Sequence, residues 1–182
     1  MKATGIVRRI DDLGRVVVPK EIRRTLRIRE GDPLEIFTDR EGQIILKKYS
    51  PIGELGQFAK QYAESLAQAT GHSIAITDKD QLIAVAGSMK KELMSKPITR
   101  ELEEVINERE SLTAAKEDKN FIRIAGDDES DYTYQVIYPI ISEGDAIGSV
   151  IILTKEAKTK LGDVENKLAN TAASFLGKQM EQ

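Results

Sequence analysis

The stretch from residue 4 to residue 27 constrains the fold more than any other part of the sequence. Two short runs rich in β-branched residues, 6–10 and 15–18, flank the turn sequence Asp-Asp-Leu-Gly at residues 11–14. This pattern predicts a β-hairpin, because Asp and Gly favour tight turns and β-branched residues favour strands. Pro19 ends the second strand and begins a helix, since proline cannot donate to a sheet ladder but fits the first helical position.

Arginine recurs through this stretch. On the predicted helix Ile22, Leu26 and Ile28 face inward, which leaves the helical arginines on or beside the outer face. A guanidinium group donates two parallel hydrogen bonds, for which phosphates and guanine edges are natural acceptors. The pattern indicates a nucleic-acid-binding surface, with a solvated basic face of a small domain as the alternative. The arginines are Arg8, Arg9, Arg15, Arg23, Arg24 and Arg27.

The distribution of charge agrees with such a surface. The chain has 27 basic and 30 acidic residues, which gives a net charge of −3. Residues 1–50 contain 12 Lys/Arg and 8 Asp/Glu and carry +4, which leaves 15 basic and 22 acidic residues, or −7, for the remainder. A basic head on an acidic body confines nucleic-acid contact to the head.

The motifs Gly-Arg-Val-Val-Val-Pro at 14–19 and Glu-Ile-Arg-Arg-Thr-Leu at 21–26, with the segments at 31–36 and 44–49, resemble the AbrB-type swapped-hairpin DNA-binding domain. In that family two chains exchange hairpins to form one β-rich dimeric sheet, whose basic surface lies on double-stranded DNA. The side chains that the resemblance places on DNA are Arg8, Arg15, Arg23 and Arg24, with Lys2, Arg9 and Lys47 as further candidates.

The size of this first domain, residues 1–50, also predicts association between chains. Strands at 34–38 and 43–49 are joined by a turn at 39–42. Four short strands and one helix are too few to close a core, and oligomerisation is a usual remedy for so small a domain. Residues 51–53 are predicted as a linker to a second domain, residues 54–182.

The second domain alternates between helical and strand patterns. Periodicity predicts helices at 54–70, 98–109 and 161–180, and strands at 73–77, 81–86, 121–125, 132–141 and 146–154. This order, with Tyr-Pro-Ile-Ile at 138–141 before Gly-Asp-Ala-Ile-Gly-Ser-Val at 144–150, resembles the GAF-like family. The resemblance implies an α+β domain with an antiparallel sheet, which senses a signal or assembles the oligomer.

Little in the sequence supports enzymatic chemistry. There is no Cys, and His72 is the only histidine, so a Cys/His or Ser/His nucleophile has little material and no metal site is indicated. The acidic run Asp127, Asp128, Glu129 and Asp131 lacks the spacing of an EF-hand loop and is interpreted as a solvated turn. We predict a protein that is not an enzyme and assign no cofactor. Whether the GAF-like domain binds a small molecule stays open.

The predicted location follows from the same reading. No stretch approaches the roughly 20 apolar residues that a membrane span needs. The N-terminus shows no secretion signal. We therefore expect a cytoplasmic, nucleoid-associated protein without a membrane partner.

The two domains in this order resemble a family of sporulation regulators from spore-forming bacteria. The resemblance implies a sequence-specific transcription regulator that activates, represses or does both. The alternative is an antitoxin-like protein that binds DNA together with a partner protein, since swapped-hairpin domains also occur in toxin–antitoxin pairs. The long folded pattern after the head weighs against that alternative.

Apolar stripes on the helices at 54–70 and 161–180 predict the assembly. Packed side by side and against their copies in a second chain, these helices would form a four-helix bundle. Combined with the dimer of residues 1–50, the bundle predicts a homotetramer. The alternative is that both stripes cover the sheet of their own domain.

Overall fold

The computed structural model describes residues 5–126, 131–156 and 161–181. The chain divides into two compact units, Met1–Tyr49 and Ser50–Gln182, which are called unit 1 and unit 2 below. The candidate DNA-binding residue Lys2 and the acidic residues Asp127, Asp128 and Glu129 lie outside the described residues. Asp131, the last of the acidic run, is described, and its carboxylate pairs with the Lys116 ammonium.

Unit 1 contains a short helix and one antiparallel strand pair. These elements are α1 (Lys20–Thr25), β1 (Leu34–Thr38) and β2 (Ile44–Lys48). The strands predicted at 6–10 and 15–18 are not formed as a ladder in the single chain. Only the turn between them is in place, with Asp11 N donating to Arg15 O at 3.0 Å. In the single chain these segments have no neighbouring strands that would stabilise a ladder. A two-stranded ribbon without such neighbours is only marginally stable.

The described residues of unit 1 form no buried hydrophobic core of their own. Among its described residues, only Pro19 is buried. Leu26, which was expected to face inward, is 57% exposed, and Val7 is 92% exposed. The hydrophobic effect cannot hold a single copy of unit 1 together by itself, because most of its apolar side chains stay in contact with water.

Unit 2 has ten elements among its described residues. They are α2 (Pro51–Glu54), α3 (Gly56–Thr70), β3 (Ser73–Thr77), β4 (Leu82–Ala86), α4 (Lys90–Leu93), α5 (Arg100–Glu108), β5 (Leu112–Ala115), β6 (Tyr134–Ser142), β7 (Asp145–Thr154) and α6 (Asp163–Gln179). The five strands form one antiparallel sheet in the order β4-β3-β7-β6-β5. The prediction of an α+β domain with an antiparallel sheet is confirmed.

The sheet of unit 2 has a hydrophobic core on each face. On one face α3 and α6 pack on the sheet through a cluster that includes Ala63, Leu66, Ala172 and Leu176. On the other face α4, α5 and the segment around Ile124 pack on it through a second cluster. The inner sides of α3 and α6 thus cover the sheet of their own domain, as the alternative interpretation of their stripes predicts.

The prediction of a strand at 121–125 is wrong. Of these residues only Ala125 takes part in a bridge, an isolated one to Ile98. Side chains occupy the main-chain groups that a ladder would need: Tyr132 Oη accepts from Ile124 N at 3.0 Å, and Thr99 Oγ1 donates to Arg123 O at 2.5 Å. The edge of the sheet is formed instead by β5, which the sequence pattern did not predict.

The residues predicted as a linker, 51–53, lie within α2. Ser50 Oγ caps this helix, since it accepts from Gly53 N at 3.2 Å, and it donates to Asp78 Oδ2 at 2.9 Å. Ile52 is fully buried in the core between the sheet, α3 and α6. The start of unit 2 is therefore fixed to its own sheet.

Candidate nucleic-acid interface

The first turn of unit 1 holds one of the candidate arginines in place. Asp11 Oδ1 accepts the main-chain N–H groups of Leu13 at 3.0 Å and Arg15 at 2.8 Å. Asp11 Oδ2 accepts from Arg15 Nε at 2.8 Å. The hydrogen bonds from the Arg15 main chain and side chain lower the pKa of the Asp11 carboxyl below its ordinary value. Arg15 is therefore tied to the turn by its Nε atom while its side chain stays 69% exposed.

Helix α1 presents the next two arginines. Pro19 stands at its N-terminal boundary, where its fixed φ suits the helix start. Arg23 is half-buried, and its Nε donates to Val18 O at 3.2 Å, the last carbonyl before Pro19. Arg24 is exposed on the same short helix. Like Arg15, Arg23 uses its Nε within the chain, which leaves its Nη groups as donors.

The remaining candidates are exposed cations. Arg8 and Arg9 lie in the segment before the first turn. Within the described part of the chain, the side chains of Arg8, Arg9 and Arg24 form no hydrogen bond or ion pair. Lys47 is exposed on β2, directly opposite Glu35 on β1. These side chains are available to a polyanion without breaking an ion pair first.

Lys48 has a structural role that the sequence analysis did not identify. Its Nζ donates to Arg27 O at 2.9 Å and pairs with Asp32 Oδ2 at 3.1 Å. Asp32 Oδ2 also accepts from Arg29 N at 2.8 Å. Partial burial raises the pKa of the Asp32 carboxyl, but the bonds from Arg29 and Lys48 outweigh it and hold the pKa below its ordinary value. This contact ties β2 to the loop that follows α1.

Sequence reasoning also missed the contact between Asp11 and Arg15. The signal was present, because an aspartate that begins a tight turn can bond both the main chain and a side chain of the turn.

Guanidinium groups on one small unit, some fixed and some unconstrained, suit the phosphates and base edges of DNA.

Both units match known families. Residues 54–181 match the family described as "Stage V sporulation protein T C-terminal, transcription factor". Residues 7–54 match the family described as "Antidote-toxin recognition MazE, bacterial antitoxin". The second match covers only unit 1 and the first few residues of unit 2.

Curated relatives agree with the first family. The chain is 54% identical to stage V sporulation protein T of Bacillus subtilis (strain 168) over 182 residues, which is all of both chains. It is 67% identical to the transition state regulatory protein AbrB of the same organism over 51 residues, or 28% of this chain and 52% of AbrB.

A solved structure supports the fold of unit 2. The GAF domain of an Acinetobacter phosphoenolpyruvate-protein phosphotransferase matches with a TM-score of 0.58 and 14% identity, over 69% of this chain and 81% of that chain. At this identity the likeness shows the GAF-like fold alone.

An AbrB-like basic unit followed by a GAF-like domain defines a DNA-binding transcription regulator. The full-length identity and the match over 54–181 go further: the chain belongs to the stage V sporulation protein T family of transcription factors. Among the described residues, no helix combines the length and the apolar character that a membrane crossing requires.

Proposed function

We propose that unit 1 binds double-stranded DNA as a sequence-specific regulator of sporulation genes, as an activator, a repressor or both. The observation that carries this proposal is the set of exposed and half-buried arginines around the first turn and α1, two of them fixed by their Nε atoms. The proposed contacts are Arg8, Arg15, Arg23 and Arg24, with Lys2, Arg9 and Lys47 as further candidates. In this role the protein is not an enzyme, and it acts in the cytoplasm on the nucleoid.

We propose that the first domain, predicted at residues 1–50, works as a dimer with exchanged hairpins. Val17 is 70% exposed and Ile36 is also 70% exposed, although both lie in segments with a strand sequence. Burying one such side chain stabilises a structure by about 1.5–3 kcal/mol relative to leaving it exposed to water. A second copy would therefore supply the hydrophobic core that one copy lacks. Exchange between chains also covers strand edges that would otherwise favour uncontrolled aggregation.

We propose that residues 54–182 join such dimers into a tetramer through α3 and α6. These two helices share an aromatic cluster of Phe58, Tyr62 and Phe175, with centroid separations of 5.7–6.1 Å. Phe58 and Tyr62 are half-buried, Phe175 remains 40% exposed, and beside Phe175 runs a shallow groove along α6. A partly exposed aromatic cluster on two adjacent helices favours packing against the same helices of a second chain.

The GAF-like fold also suggests how DNA binding is regulated. A small molecule bound by this domain could shift the proposed contact of α3 and α6 with a second chain. Such a shift would change the spacing between the DNA-binding copies of unit 1. The chemical class of such a ligand stays open. The antitoxin-like alternative has support from the match of residues 7–54 alone, whereas residues 54–181 match a transcription-factor family.

The experiment that tests DNA binding replaces both α1 arginines, Arg23→Ala with Arg24→Ala, in the full chain. We expect strong loss of affinity and a shallower salt dependence, since each lost phosphate contact removes about 0.9 from the slope of log K against log salt. A matched control, Arg100→Ala with Lys119→Ala, removes two exposed cations from unit 2. Unchanged affinity in the first pair, with oligomeric state and circular dichroism intact, would refute the assignment.

A further inference from the structure

Two turns in unit 1 share one construction. In each, an aspartate Oδ1 accepts the main-chain N–H groups of the residues two and four positions later. The distances are 3.0 and 2.8 Å at Asp11, and both are 2.9 Å at Asp39. A glycine with positive φ follows three positions after the aspartate in both turns, Gly14 at 75° and Gly42 at 81°.

The turns differ at the second carboxylate oxygen. Asp11 Oδ2 accepts from Arg15 Nε at 2.8 Å. The position that corresponds to Arg15 in the second turn is Gln43, and Asp39 Oδ2 forms no hydrogen bond with any described residue. The second turn forms without this contact, so a turn of this construction does not require it. The second oxygen of Asp11 therefore has another role.

The contact determines which atoms Arg15 presents to solvent. With Nε engaged, the donors that remain are the four N–H bonds of the two Nη atoms at the tip of the side chain. The Nη pair presents two parallel donors, which match a phosphate or the O6 and N7 edge of guanine. Held at one end by a carboxylate, this fork loses less conformational freedom when it binds than an unconstrained arginine does.

We propose that Asp11 is a positioning residue for DNA recognition, which holds the Arg15 guanidinium so that its two Nη groups meet the duplex as a fixed fork. The inference rests on the proposed function of unit 1 and deepens it at one contact. The proposed role applies to Arg15 and not to Arg8 or Arg24, whose side chains have no such carboxylate partner in the described part of the chain.

Charge alone predicts the opposite effect of Asp11. A carboxylate close to the DNA backbone repels phosphate, so its neutralisation should tighten binding to any duplex. If Asp11 instead orders Arg15, its neutralisation should weaken binding to the preferred sequence, because the arginine must then be ordered during binding. The two interpretations thus differ in the sign of the change.

The experiment uses the full chain with two duplexes of equal length. One is selected from a random pool by the wild-type protein, and the other is an unrelated sequence. Asp11→Asn should lose about threefold to tenfold in affinity for the selected duplex for each Arg15 that contacts it, which is the range expected for ordering one long side chain. The loss should be much smaller for the unrelated duplex. Asp12→Asn makes the same charge change one residue away, and Asp39→Asn makes the same change in the matching turn. Neither should reduce the preference for the selected duplex.

Arg15→Lys tests the same contact from the other side and leaves the turn aspartate in place. It keeps the positive charge but removes the Nε–H and the fork, so it should reproduce the loss of preference. On this background Asp11→Asn should add little, since the two residues act through one contact. The Arg15 Nε–H resonance in NMR spectra should change in Asp11→Asn and persist in Asp12→Asn.

The outcomes separate the inference from the proposed function. If Arg15→Ala leaves DNA binding unchanged, the proposed site is wrong, and this inference with it. If Arg15→Ala weakens binding while Asp11→Asn behaves like Asp12→Asn, the site stands and the positioning role of Asp11 is overturned. An additive effect of Asp11→Asn on the Arg15→Lys background would also overturn it.

Discussion

Tyr62 on α3 and Phe175 on α6 stack their rings at a centroid distance of 5.7 Å and an interplanar angle of 21°. Partial burial raises the pKa of the Tyr62 hydroxyl above its ordinary value. Phe175 nevertheless remains 40% exposed, whereas Phe58 and Tyr62 are half-buried and pack against the core that α3 and α6 form with the sheet. The aromatic cluster of the two helices is therefore only partly covered within the domain.

The exposed part of this cluster leads to a prediction about assembly. If the proposed tetramer forms, Phe175→Asp with Leu168→Asp should reduce it to dimers, because charges would replace apolar groups at the proposed contact between chains. The dimers should still fold and should bind DNA more weakly, since two heads on one particle raise the effective concentration for neighbouring sites. Light scattering on the full chain measures the number of protomers.

A matched variant separates this effect from a general effect of added charge. Lys167→Asp lies on α6 at an exposed position outside the aromatic cluster and should leave the number of protomers unchanged. A wild-type chain that runs as a dimer, and is unaffected by the double substitution, would contradict the tetramer.

The isolated segment 1–53 should be a dimer in solution. Its apolar side chains, such as Val7 at 92% exposed and Ile10 at 66% exposed, have no core within one copy. Sedimentation at micromolar concentrations should show two chains, and dilution should unfold the segment as it dissociates. A folded monomer at these concentrations would exclude exchanged hairpins as the source of its stability.

The fold of unit 2 was largely predictable because its signals are local. Apolar periodicity located α3, α5 and α6, and the alternating or continuous apolar runs located β3, β4, β6 and β7. The sequence Leu-Thr-Ala-Ala of β5 has low strand propensity and joins the sheet through its pairing with β6. Tertiary pairing of this kind has no local signal.

The error at 121–125 has the opposite cause. Its sequence, Phe-Ile-Arg-Ile-Ala, is mostly apolar and contains two β-branched residues, as many strands do. Its main-chain groups are instead bonded by side chains from elsewhere. The Gln135 amide nitrogen donates to Ile122 O and its oxygen accepts from Ile122 N, both at 2.9 Å. Ile124 and Ala125 are buried, so the apolar pattern correctly predicted burial and wrongly predicted a ladder.

The candidate residues could be named from the sequence, but their geometry could not. The motif around residues 14–26 indicated the arginines, because their types and spacing are visible in the sequence, and their contact with DNA stays a prediction. Which arginine is held, and by what, depends on the direction of side chains. The pairs Arg15–Asp11 and Arg23–Val18 appear only when the turn and the start of α1 are folded.

Acid should loosen unit 1 through Asp32. Its folded-state pKa lies below the ordinary value, so its carboxylate contributes stability above that value, near 3.8. This contribution is lost as the pH falls through the lower folded-state pKa. Hydrogen exchange of the Arg29 amide, which donates to Asp32, should therefore speed up at a pH below about 4 beyond the intrinsic pH dependence.

Asp32→Asn provides the comparison for that experiment. At neutral pH the variant should show less protection of the Arg29 amide than the wild type, and the difference should shrink as the pH falls. Asp12→Asn, whose side chain forms no hydrogen bond with the described residues, should follow the wild type. Parallel curves for Asp32→Asn and the wild type would show that the Lys48–Asp32 contact does not stabilise unit 1.

Gly177 is required where α6 meets the sheet. A Cβ atom at this position would lie 2.0 Å from Ile141 O, a main-chain atom of β6 that cannot move aside as a flexible side chain would. Gly177→Ala should therefore destabilise unit 2 by about 1–3 kcal/mol, the usual cost of overpacking a core, although alanine favours helices. Thermal unfolding followed by circular dichroism measures the change.

Gly56→Ala is the matched control, because Gly56 begins α3 and nothing lies within 4 Å of its added Cβ. That substitution should leave the melting temperature unchanged or raise it, since alanine reduces the entropy of the unfolded chain. Because α6 also carries Phe175, Gly177→Ala should loosen the proposed tetramer at temperatures below the unfolding transition. A Gly177→Ala chain with the stability of Gly56→Ala would show that α6 does not approach β6 this closely in solution.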